Sequence, residues 1–210
     1  MTGTRFRMQC SLLAGAVVAV LTALAACQGA RVAPLEVDEE EIRAADGSEI
    51  LRIDEVPDNI RPDESVEFGA AQRFTGASAS PDESWIAIAT SSASHGAGWL
   101  VRIEDREPRP AAFQFGGRIL AGPWSDDSRH AVFVHEGPAG DRTLTMVDRE
   151  DLGDTVQESA MLVRLPDHDD RLPEHRIYEG EEWRNTLLAF QVADERWLFD
   201  TRTGEVSRDD

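Results

Sequence analysis

The chain has 210 residues, with 21 basic against 40 acidic side chains and a formal net charge of −19. A polyanion of this kind does not hold nucleic acid by neutralising phosphates. All 21 basic residues are arginine, which excludes Schiff-base lysine chemistry and the phosphate loops that depend on a lysine.

At the N-terminus, Arg5 and Arg7 precede an apolar run over residues 12–23, and Leu24-Ala25-Ala26-Cys27 follows it with small residues directly before the cysteine. A positive region, an apolar core and a small-residue cleavage site, in that order, read as an export signal. A transmembrane span needs about 20 predominantly apolar residues, and this run is interrupted by Gln28 and Arg31. A plain secretory peptide cut after an Ala-x-Ala-like site would leave Cys27 as a lone thiol.

Residues 24–27 resemble the lipobox of bacterial lipoproteins. The resemblance implies that residues 1–26 form a signal peptide with a helical core, and that Cys27 takes a diacylglycerol thioether. It also implies that Cys27 becomes the acylated first residue of the mature chain. Two or more acyl chains give stable membrane attachment. Gln28, where inner-membrane lipoproteins often carry Asp, implies sorting to the outer membrane on its periplasmic side, with the cell membrane as the alternative. Cys10 then leaves with the leader and Cys27 is consumed by lipid, so the mature chain forms no disulfide and its core alone must hold the fold. Loss of Arg5 and Arg7 moves the charge from −19 to −21.

Residues 27–46 are expected to be the lipidated cysteine and a flexible tether, because they hold few apolar residues and the run Asp38-Glu39-Glu40-Glu41. Residues 47–210 are expected to be an all-β domain. Ile50, Leu51 and Ile53, then Val66 and Phe68, suit two strands or an extended arm, with the third repeat unit as the nearest place for them to pair.

The body repeats itself. Ser80-Pro81-Asp82-Glu83-Ser84 leads into Trp85-Ile86-Ala87-Ile88-Ala89, and Ser125-Asp126-Asp127-Ser128-Arg129 leads into His130-Ala131-Val132-Phe133-Val134, 45 residues later. That interval suits a propeller blade, and Ser and Asp close such turns through backbone hydrogen bonds. Downstream, Trp99-Leu100-Val101-Arg102-Ile103 and Thr143-Leu144-Thr145-Met146-Val147 occupy matching places. A third, irregular copy runs through Trp183, residues 187–192 and residues 196–200 to Thr203-Gly204-Glu205.

Residues 74–206 resemble the repeats of the TolB-type and WD40-like propeller family, with Glu83 in place of the turn glycine, Asp126 in place of proline, and no Ser-Pro-Asp turn in the third copy. The resemblance implies about three degenerate propeller-like antiparallel sheets, an incomplete propeller, since closed propellers typically have at least four blades. A β-sandwich of about ten short strands is the alternative.

Candidate chemistry is sparse. His168, Asp169, Asp170, Glu174 and His175 offer metal ligands in the one loop that carries Pro166 and Pro173, at a spacing that matches no zinc motif. His130 and His135, five apart on one strand, point to opposite faces. Asp82-Glu83 and Asp126-Asp127 lack the alternating oxygens of a calcium loop. Gly76-Ala77-Ser78-Ala79-Ser80 lacks the second glycine of a nucleophile elbow, and Ser94-His95-Gly96 adjoins a hairpin loop. Trp85, Trp99, Trp124, Trp183 and Trp197 fall at strand starts or centres, where they serve the core or a partner surface. The expectation is a non-enzymatic protein-binding module without cofactor or metal, in envelope assembly or integrity. The alternative is a periplasmic metal or small-ligand binder.

Overall fold

The computed structural model describes residues 31–210; Arg5, Arg7, the lipobox with Cys27, and Gln28 lie outside the described residues. The body begins with a three-stranded sheet, β1 (Glu36–Val37), β2 (Glu41–Arg43) and β3 (Glu49–Arg52), and a hairpin, β4 (Asn59–Asp63) and β5 (Val66–Gly69). Three four-stranded sheets follow. The first is β6 (Arg73–Ala79), β7 (Trp85–Ser91), β8 (His95–Arg102) and β9 (Pro108–Phe115). The second is β10 (Arg118–Trp124), β11 (His130–Glu136), β12 (Arg142–Asp148) and β13 (Ala160–Val163), with the one-turn helix α1 (Val156–Ser159) before its last strand. The third is β14 (Tyr178–Arg184), β15 (Leu187–Val192), β16 (Glu195–Asp200) and β17 (Glu205–Arg208).

Within each sheet every strand pairs antiparallel with its sequence neighbour. A Greek-key sandwich sends strands back across sheets, whereas each group of four described strands here stays together. Among the described residues the fold is therefore a series of three propeller-like four-stranded sheets, preceded by the three-stranded sheet and the hairpin, and these three are fewer than a closed propeller has; the sandwich alternative is set aside.

The repeated turns have one geometry. Ser80 donates its hydroxyl to Asp82 and accepts the Trp85 N–H, while Asp82 accepts the Ser84 N–H; Ser125, Asp127, Arg129 and His130 make the same three bonds. Glu83 and Ser128, at matching positions of the two turns, have φ of 54° and 63°, a left-handed conformation that disfavours side chains. Both side chains are used. The Glu83 carboxylate accepts the Val32 N–H at 2.9 Å, and the Ser128 hydroxyl accepts the Asp82 N–H at 3.0 Å, so the second turn is hydrogen-bonded to the first. Asp82 also takes an ion pair from Arg149 at 2.7 Å. Burial raises the Asp82 pKa, but hydrogen bonds from Ser80, Arg149 and Ser84 outweigh it and hold the carboxyl well below its usual range.

Strand alternation sorts the apolar residues into three cores. Ile86 and Ile88 turn outward against the N-terminal strands, whereas Ala87 and Ala89 turn toward the second sheet. Small residues there admit a large one. A methyl group on Gly98 would lie 2.6 Å from the Phe133 ring, so Phe133, fully buried, packs into the space that side chain would fill. Val132 and Val134 face the third sheet with Leu188, Phe190 and Phe199. Trp124 donates its indole N–H to the Ser78 carbonyl of the preceding sheet, and Trp183 donates to Pro123 at the matching place one sheet later.

Residues 32–46 differ from the expected tether. Ile42 and Ala44 are buried in the first core beside Phe74 and Ile88, and β2 pairs with both β1 and β3. The acidic run is compatible with this because Asp38 caps a turn by accepting the N–H groups of Glu40 and Glu41, which leaves one apolar residue on a three-residue strand. The segment from Ile50 to Phe68 also sits elsewhere than expected, covering the outer face of the first sheet and not the third. The outer face of the third sheet carries charge instead. Arg184 and Arg196 each reach Asp209 and Glu182 at 2.9 to 3.9 Å.

Candidate functional site

At the end of the first sheet away from the Glu83 turn, four rings from three strands come together. Phe68 of β5 lies 4.5 Å from Phe113 of β9 and 5.6 Å from His95 of β8, and His95 lies 5.2 Å from Phe113, centroid to centroid. These tilted contacts suit aromatic quadrupoles. Phe115, 5.8 Å from Phe68, completes the group and is 60% exposed, although phenylalanine ordinarily goes inside. Burial pushes the His95 imidazole below its ordinary pKa, so the cluster presents a neutral, apolar surface.

The residues weighed for catalysis do local work. Ser92 bonds His95 Nδ1 at 2.8 Å and Ser94 at 3.3 Å, and Ser92 also accepts the His95 N–H, closing the loop between β7 and β8. Ser78 donates to the Gly122 carbonyl of the next sheet.

The metal-ligand candidates are dispersed. His168 is buried and bonds the Tyr178 hydroxyl at 2.9 Å, which in turn accepts the Leu165 N–H; Asp169 pairs with Arg164, and Asp170, Glu174 and His175 line exposed 3-10 turns. Among the described residues no three His, Cys, Asp or Glu side chains form a group fit for a metal ion. The loop that carries these candidates packs around Tyr178 through His168 and the Leu165 N–H.

Alternation separates the other two histidines. His130 faces the third sheet, its ring 6.0 Å from Trp183 and its Nε2 3.8 Å from Asp148, while His135 faces the first sheet with Nε2 2.9 Å from the Thr145 hydroxyl. Burial pushes the His135 imidazole down to about 4. Its unfolded pKa of about 6.5 lies higher, so the unfolded chain binds the extra proton and stability rises with pH across that interval. About 3 kcal/mol should therefore be lost between pH 6.5 and 4. Denaturant melts of the wild type and His135→Gln across this range test it, the variant being expected to have a shallower slope.

A shallow cleft of about 270 Å³ between the first two sheets is lined by Trp85, Arg102, Arg109 and Arg149 together with Asp105 and Glu150. Each arginine is already paired, with Glu104, with Glu107 and Asp154, and with Asp82 respectively. The arginines of the cleft therefore offer no uncompensated positive charge to select an anionic ligand. Of the tryptophans, Trp99, Trp124 and Trp197 are buried and Trp183 is committed to Pro123. The exposed aromatic was missed because Phe68 and Phe113 are distant in sequence. The available signal was Phe113-x-Phe115, two rings on one face of a strand.

Three consecutive four-stranded antiparallel meanders define a propeller-like repeat protein. No family model and no curated protein matches the sequence. Among solved structures the chain is similar to TolB from Acinetobacter baumannii, with 12% identity, a TM-score of 0.46, and coverage of 83% of this chain and 39% of that one. It is similar to the Dos1 propeller with 10% identity and a TM-score of 0.49, over 80% of this chain and 38% of that one. A putative TolB from Agrobacterium tumefaciens has 16% identity and a TM-score of 0.46, over 83% of this chain and 56% of that one. The chain thus spans from under two fifths to just over half of these proteins. No helix among the described residues is long and apolar enough to cross a membrane.

Proposed function

We propose that the chain is a non-enzymatic protein-binding module, held on the periplasmic side of the outer membrane by lipid on Cys27 and serving envelope assembly or integrity. The observation that carries binding is the aromatic group at the end of the first sheet, where Phe115 remains 60% exposed against Phe68. Aromatic side chains on a rigid support are the usual anchors of protein interfaces. The lipid is supported by Leu24-Ala25-Ala26-Cys27.

Substituting Phe115→Ser tests the reading. An exposed site changes stability by only about 0.5 kcal/mol, so the melting temperature should hold. Recovery of the partner after cross-linking in intact cells should fall about tenfold or more, as for an interface hot spot. Undiminished recovery with a folded variant would remove the aromatic group from the interface.

A further inference from the structure

We infer that the anchored body stands on the membrane with its Glu83 turn toward the lipid headgroups and its Phe115 end held away from them, where it meets a partner protein in the aqueous compartment. The inference rests on the lipidation of Cys27 proposed above.

Val32 fixes the entry point. It is buried at 9% exposure, donates its N–H to Glu83 at 2.9 Å and accepts the Ala45 N–H at 3.2 Å, so the chain joins the body beside the Glu83 turn. Cys27 is five residues upstream. Five residues reach at most about 17 Å whatever their conformation, so an anchor on Cys27 keeps the turn near the bilayer surface.

The first sheet then sets a distance. Trp85, next to the turn, pairs with Arg102, and His95 at the other end of β8 pairs with Phe115. Eight residues of strand separate the two ends by about 23 Å. Glu67, next to Phe68 on β5, is exposed at that free end. The processed chain, without Arg5 and Arg7, would carry −21 and is repelled by anionic headgroups, which lifts the free end.

The processed chain would carry Cys27 in its lipid, so one introduced cysteine is the sole free thiol. Asp126→Cys, in the exposed second turn, and Ala93→Cys, in the exposed loop beside His95, place a fluorophore at opposite ends. Each lipidated, processed variant is reconstituted in vesicles containing anionic phospholipid and a headgroup-quencher lipid, with a leaderless chain of residues 28–210 carrying the same introduced cysteine as the unanchored control. Quenching several-fold stronger at position 126 than at 93 supports the orientation. Vesicle binding with equal or reversed quenching overturns the orientation alone. Absence of vesicle binding, matching the leaderless control, overturns the lipid reading and the orientation with it.

Discussion

Ala131→Asp should abolish the cooperative melt of the body, while Asp126→Ala should leave it within about 0.5 kcal/mol of wild type, as surface substitutions usually do. Ala131 is fully buried on β11 and lies between Trp124 and Val147 of the flanking strands, facing the core shared with the first sheet. Backbone donors around it are engaged in the strand ladder, so a carboxylate there is desolvated without a partner. Such a group costs several kcal/mol whether it stays charged or takes up a proton. That is a large share of the roughly 5–15 kcal/mol that holds a domain of this kind together. Asp126 is exposed, and the side chain that closes its turn is that of Asp127. Thermal melts followed by circular dichroism decide it, and equal destabilisation by the two variants would contradict the assigned repeat frame.

The repeat frame was legible because turn chemistry and strand alternation are local. Ser80-x-Asp82 and Ser125-x-Asp127 announce turns whose bonds lie within five residues, and Ile86-Ala87-Ile88-Ala89 shows its two faces in its own spelling. Residues 32–46 were illegible for the opposite reason. Ile42 is buried by Phe74 and Ile88, far along the chain, and no periodicity can show in a strand of three residues. His168 stood out as a metal-ligand candidate because acids surround it in sequence, whereas the side chain that receives it is Tyr178, ten residues on. The aromatic group at Phe115 required β5, β8 and β9 to be assembled before its four rings became neighbours.

Removing residues 49–68 while keeping the rest of the chain should produce an aggregating protein, because that segment is the cover of the first sheet. Ile50, Leu51, Val56 and Ile60 are each at most 5% exposed and pack on Ile86, Ile88, Trp99 and Val101. Four such side chains at about 1.5–3 kcal/mol each contribute on the order of 6–12 kcal/mol as an upper bound, comparable with the whole stability of a domain. The deletion also removes β3, the partner of β2, and leaves β2 with an unpaired edge that invites association. The outer face of the third sheet differs, since Arg184, Arg196, Glu182 and Asp209 set ion pairs across it. The deleted protein should therefore sediment as large species, bind a hydrophobic dye strongly and lose its melting transition. A monomer with unchanged melting temperature and no gain in dye binding would show that these residues contribute nothing to the body and that the outer face of the first sheet is stable in water.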